Sequence, residues 1–114
     1  MKKSDGDRAR LLHILEAIQY IHSFTLGKTK IDIYDDPMFR FAIERQLEII
    51  GEAANHLSDE LKITRPETEW RKIVAFRNFV AHEYFGIDLE LVWDIVVNKI
   101  PPLENTVSQL LSEQ

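Results

Sequence analysis

The chain has 114 residues, no cysteine, four glycines and 45% hydrophobic residues. That length suits one domain with a single core, and the composition suits a helix-rich fold rather than a disordered or fibrous one. The missing cysteines exclude disulfides and thiolate metal sites, no apolar run reaches the roughly 20 residues that span a bilayer, and a net charge of −5 weighs mildly against a nucleic-acid partner.

The amino-terminal stretch is charged without a following apolar run, so no signal peptide is expected and the cytoplasm is the expected compartment. From about Asp7 to Phe24, residues Leu11, Ile14, Leu15, Ile18 and Ile21 recur at three- and four-residue intervals, predicting an amphipathic helix that stops near Gly27. His13 and His22 on it carry no assigned role. Lys28 to Asp35 reads as a polar connection. Asp36-Pro37 is a strong start signal, a carboxylate at the N-cap followed by proline at the first helical position. The helix it opens runs to about Leu57 and buries Phe39, Ile43, Leu47, Ile50, Ala54 and Leu57 on a broad face.

Gly51 lies inside that second helix, where it costs about 1 kcal/mol relative to alanine. With Ala53 and Ala54 it suggests the close approach of another helix. Glu52 beside it is a candidate partner for a buried arginine. His56 reads as a surface residue, because no His-Glu-x-x-His or similar ligand pair accompanies it. Neither a metal nor a cofactor is expected.

Ser58 to Thr68 reads as a connector, and a third helix begins near Glu67 to Trp70. Trp70, Ile73, Val74, Ala81 and Tyr84 form its apolar stripe, and at 100° per residue Arg77 falls near the middle of it. A guanidinium there needs a partner, either a carboxylate that makes it structural or a ligand that makes it functional. His82 and Tyr84 beside it favour a site. Residues five apart on a continuous helix are separated by about 140° and ~7.5 Å. Arg77 and His82 therefore meet only if the helix ends between them, which Gly86 would suit, or if a second copy of the chain brings them together. The helix end favours a protonated His82 and Arg77 opposes it, which leaves the sign of any shift open.

Charge is uneven along the chain. Lys62 to His82 carries +3, whereas Glu83 to the C-terminus carries −5, so Arg77 and His82 close a locally basic segment able to steer a phosphate backbone. Asp88 is the expected N-cap of a fourth helix that packs through Leu89, Val92, Trp93, Val96, Val97 and Ile100. Pro101-Pro102 is expected to break or kink it before a short last helix bearing Leu103, Val107, Leu110 and Leu111. The expected fold is all-α, an up-and-down bundle of four helices with a short fifth.

Arg77-x4-His82-x-Tyr84 resembles the signature of HEPN-domain proteins, and in particular of the HepT-like toxins of prokaryotic toxin–antitoxin pairs. Arg45 to Asn55, with Gly51-Glu52-Ala53 at its centre, resembles the family's second-helix signature. Trp70-Arg71-Lys72-Ile73 before Arg77-Asn78, and Asp88-Leu89 through Val92-Trp93 to Pro101-Pro102-Leu103, are similar in order and spacing. Thr68-Glu69-Trp70 departs from the Ile-Pro-Trp expected there, which touches the start of the third helix and not the site.

The resemblance implies that residues 1–114 form a single HEPN-like domain. It implies a homodimer that cleaves RNA without a metal, as the toxin of a type VII-like pair. In that reading His82 is the general acid or base, Arg77 neutralises charge on the phosphate and Asn78 supports them. It also implies that Tyr84 is AMPylated by a cognate minimal nucleotidyltransferase antitoxin, which silences the nuclease. Two other readings stay open: a non-catalytic HEPN partner that binds a nucleotidyltransferase or nucleotide, and a structural helical dimer without a ligand.

Overall fold

A computed structural model describes the backbone of residues 3–81 and 89–114, and the side chains of residues 6–77 and 89–114. Helix α1 spans Lys3–Thr25. Its apolar stripe turns inward as the periodicity requires, with Leu11, Ile14, Ile18 and Ile21 buried. Gly27 follows in the left-handed region at φ 71°, the conformation that ends a helix and that glycine adopts without a Cβ penalty. The connection after it contains a short helix, α2 (Lys30–Asp35), opened where the Thr29 N–H donates to the Asp32 carboxylate at 2.8 Å.

Helix α3 (Pro37–Asn55) starts at the expected signal: Asp36 accepts a hydrogen bond from the Phe39 N–H at 3.2 Å, and Pro37 occupies the first turn, where a missing N–H leaves no partner unsatisfied. Phe39, Ile43, Leu47, Ile50 and Ala54 are buried. The helix packs against α1 on one side and against α5 (Trp70–Ala81) on the other, which is why its apolar face is broad. Between α3 and α5 lies a second short helix, α4 (Asp59–Ile63), capped by the Ser58 hydroxyl on the Leu61 N–H. The buried Asp7 carboxylate accepts from both the N–H and the hydroxyl of Ser58, at 2.8 and 2.6 Å, and so fastens the start of α1 to this corner.

The double proline behaves differently from the expectation. Helix α6 (Leu89–Asp94) continues through a π-helical turn, Ile95–Lys99, into α7 (Ile100–Ser112), and the chain stays helical past Pro101 and Pro102. The Ile100 N–H bonds to the Ile95 carbonyl, five residues back instead of four. In α-helical register, the two proline rings would press on the carbonyls of Val97 and Asn98 and leave them without donors. The wider π turn relieves the crowding and places the prolines in the first turn of α7, where no N–H is needed. The extra residue also rotates the packing face: Ile95 is buried in place of Val96 and Val97, and Val97 is 48% exposed. Ile100, Leu103, Val107 and Leu110 then bury against α1.

The described residues contain no strand, and the architecture is the all-α bundle expected, refined by the two short helices in its connections. No helix among them is long and apolar enough to cross a membrane.

Candidate functional site

The site is built where α5 crosses α3. Gly51 makes the crossing close: a Cβ added there would lie 2.7 Å from the Arg77 backbone nitrogen, 3.0 Å from the Val74 carbonyl oxygen and 3.2 Å from the Arg77 Cβ. Backbone atoms cannot swing aside as a side-chain tip can, so only glycine permits this spacing. The next residue on α3, Glu52, then stands beside the Arg77 side chain, and the Arg77 Nη1 donates to the Glu52 Oε2 at 3.0 Å.

Arg77 is less deeply buried than its place in the periodic stripe suggests. Trp70, Ile73 and Phe76 take the buried positions of α5, Val74 is half-buried, and the Arg77 side chain is 31% exposed. The guanidinium is thus anchored on one edge by Glu52, and among the described residues most of its five N–H donors have no other partner. Its Nε is buried and has no hydrogen-bond partner among the described residues.

Glu52 accepts from two side chains. Its Oε1 accepts from the His56 Nε2 at 3.1 Å, one turn further along α3. Since an ionised carboxylate only accepts, that imidazole nitrogen carries the proton. The Arg77 guanidinium, first, and then His56 hold the Glu52 carboxyl below the usual glutamate range.

Glu52 and His56 also line a cavity of about 260 Å³ between α1 and α3, together with Arg10, His13, Arg45 and Glu48. Periodicity left His13 without a role and His56 as a surface residue, and packing of α1 on α3 puts both in the lining of one cavity. Nothing in the local pattern of either helix signals that meeting. A larger cavity, about 490 Å³, opens between α5 and the π turn and is walled mainly by Ile73, Phe76, Leu91, Ile95 and Leu103. Its polar groups are at the edge, where Glu69 pairs with Lys72 at 2.7 Å and Lys99 at 3.8 Å, and neither Arg77 nor Glu52 reaches it.

Of the residues singled out from sequence, the structure places Arg77 and pairs it with Glu52. Asn78 lies in α5, where its backbone alone is described, as does Ala81. His82, Tyr84, Gly86 and Asp88 lie outside the described residues. Helix α5 is described from Trp70 through Ala81, and the helix end that Gly86 would suit lies outside the described residues with His82. Among the described residues no three His, Asp or Glu side chains converge as metal ligands would.

The model of the ribonuclease HepT-like family matches residues 14–110. The chain belongs to the HepT-like ribonucleases. It is 37% identical over 110 residues to a Thermococcus cleftensis protein named "Probable ribonuclease HepT", covering 96% of this chain and 98% of that one. A Methanocaldococcus jannaschii protein provisionally named an RNase is 36% identical over 107 residues, covering 94% of this chain and 97% of its own. A Caldanaerobacter subterraneus protein, also provisionally named an RNase, is 33% identical over 107 residues, covering 94% and 96%. No solved structure matches the chain significantly. The HepT-like match runs across all of α3 and α5, and so takes in Gly51, Glu52 and Arg77.

Proposed function

We propose that this HepT-like chain is a metal-independent endoribonuclease toxin of a type VII-like toxin–antitoxin pair, acting as a homodimer through Arg77 and His82. The observation that carries the reading is the Arg77 guanidinium, held at the α3–α5 crossing by Glu52 with most of its donors otherwise unpartnered among the described residues, inside a chain of the HepT-like family.

Strand cleavage needs no external nucleophile, because the ribose 2′-oxygen lies next to the phosphorus. His82, as general base or acid, takes the 2′-hydroxyl proton or supplies one to the departing oxygen. The 2′-oxygen bonds to phosphorus as the bond from phosphorus to the 5′-oxygen breaks, giving a 2′,3′-cyclic phosphate and a 5′-hydroxyl end. Arg77 neutralises the charge that builds on the non-bridging oxygens, and Asn78 supports the pair from the next position. In this reading a second copy of the chain supplies the facing His82, since residues five apart on a continuous helix face about 140° apart.

Control runs through Tyr84. A cognate minimal nucleotidyltransferase transfers AMP from ATP to its phenol oxygen, releasing pyrophosphate. The added phosphodiester places a negative charge at the mouth of the cleft, where Arg77 is the natural partner and substrate phosphate is repelled.

The deciding assay incubates purified protein with single-stranded RNA, with and without EDTA. Cleavage to cyclic-phosphate ends that survives EDTA is the expected result. RNA left intact by protein free of AMP would instead favour the non-catalytic HEPN partner.

A further inference from the structure

The cavity between α1 and α3 is the feature that cleavage at Arg77 does not use. It opens beside the site, because Glu52 lines it and also holds Arg77. Four groups able to bear positive charge converge there from two helices: Arg10 and His13 from α1, Arg45 and His56 from α3. The carboxylates facing them are Glu48 and Glu52. Glu48 pairs with Arg45 at 2.6 Å, and Glu52 is shared between His56 and Arg77. Arg10 is paired with no carboxylate among the described residues.

With Glu48 engaged by Arg45 and Glu52 by Arg77, Arg10 and His13 are left to donate to an anion, and the size says which kind. Pockets that enclose a whole small molecule run to about 300–1,000 Å³ and are mostly apolar. At about 260 Å³, and with six ionisable side chains in its lining, this one is too small for that. It suits one phosphate of a strand that continues past it. The exposed Arg45–Glu48 pair does not stand in the way, since surface ion pairs of this kind are worth only about 0–1 kcal/mol and exchange readily for a phosphate.

We propose that the Arg10–His13–Arg45–His56 cavity is a phosphodiester subsite, which holds the RNA backbone beyond the scissile phosphate while Arg77 engages the scissile one. This rests on the ribonuclease reading. It adds that affinity and reach along the strand come from α1 and α3, whereas the chemistry comes from the end of α5. Arg10 and Arg45 are positioning residues in this scheme.

The test separates strand binding from chemistry. Arg10→Ala/Arg45→Ala is compared with wild type on two substrates: a single-stranded RNA of about twenty nucleotides, longer than a typical single-strand site, and a dinucleoside monophosphate, whose single phosphate cannot reach from Arg77 into the cavity. The double variant is expected to raise KM for the long RNA about tenfold at low salt, as for two arginines withdrawn from one phosphate. Its kcat on the long RNA and its turnover of the dinucleotide are expected to be unchanged. With His82→Ala added so that the RNA survives, the slope of log affinity against log salt should fall by about 0.7, the value for one single-strand phosphate contact. Glu48→Gln, which releases Arg45, should shift long-RNA affinity the other way. Equal losses on long and short substrates, or no loss on either, overturn the subsite. A double variant that changes oligomeric state in sedimentation also overturns it, because the cavity would then be an interface. A wild type that cleaves neither substrate overturns the ribonuclease reading itself, and the salt slope still reports separately on strand binding.

Discussion

Gly51 and Arg77 meet backbone to backbone, with 2.7 Å between the place a Gly51 Cβ would occupy and the Arg77 nitrogen. That contact sets how closely α5 lies on α3, and so whether Glu52 reaches the guanidinium. Gly51→Ala gains about 1 kcal/mol of helix propensity. It also forces two backbones apart, an overpacking of the kind that costs about 1–3 kcal/mol. With fixed backbone atoms on the far side the cost falls in the upper half of that range, and a net loss of about 1–2 kcal/mol is expected, visible as a lower Tm in thermal unfolding. A variant as stable as wild type would mean that the crossing is loose.

The Glu52 carboxyl is held down by Arg77 and, secondly, by His56. A carboxyl whose folded pKa is depressed adds stability above its unfolded value, about 4.3 for glutamate, and the contribution is lost as pH falls through the lower folded value. Glu52 should therefore stay ionised through the ordinary glutamate range and release Arg77 only in stronger acid. Carboxyl-carbon NMR can follow this, and Arg77→Met should move the midpoint back up. An unmoved midpoint would show that the 3.0 Å contact does not persist in solution.

Arg77→Ala and His82→Ala should each abolish cleavage. Losses of roughly 10²–10³ for the phosphate-neutralising group and 10²–10⁴ for the acid–base group are expected. Circular dichroism should be unchanged for Arg77→Ala, since Glu52 is exposed enough to be solvated by water once its partner is gone. Cleavage by either variant at the wild-type rate would remove that residue from the chemistry.

Assembly follows from the same residues. On a continuous helix, residues five apart such as Arg77 and His82 would face about 140° apart, so the proposed site is expected to need two copies. Sedimentation at micromolar concentration should give a dimer. A fully active monomer would contradict the two-copy geometry.

Tyr84→Phe separates nuclease from switch. It should retain cleavage, because the phenol is neither base nor nucleophile, and should escape silencing by the partner nucleotidyltransferase and ATP. Intact-mass spectrometry should show one or more AMP units on wild type and none on the variant. If the variant is modified and silenced as fully as wild type, the switch lies on another residue.

Much of this molecule is determined by local sequence. The spacing of Leu11, Ile14, Ile18 and Ile21, and of Ile43, Leu47, Ile50 and Ala54, decides which faces are buried, because side-chain direction follows helical geometry wherever a helix forms. Asp36-Pro37 and Gly27 act through their own backbones, and so mark their helix ends without tertiary help. Gly51 followed by Glu52 was legible as a close approach with a carboxylate beside it, and an arginine in an apolar stripe was legible as a group in need of a partner.

Three features needed the tertiary structure. The prolines at 101 and 102 forbid α-helical register but leave open whether the chain breaks or widens, and burial of Ile95 and Ile100 against the bundle goes with the π turn. Arg77 sits at the edge of its stripe because Phe76 takes the inward position, which depends on how α5 lies on α3 and not on spacing within α5. Arg10 and His13 meet Arg45 and His56 only because α1 packs on α3. Periodicity specifies the apolar face of each helix, but the polar groups along its margins find their neighbours only once a second helix has covered that face.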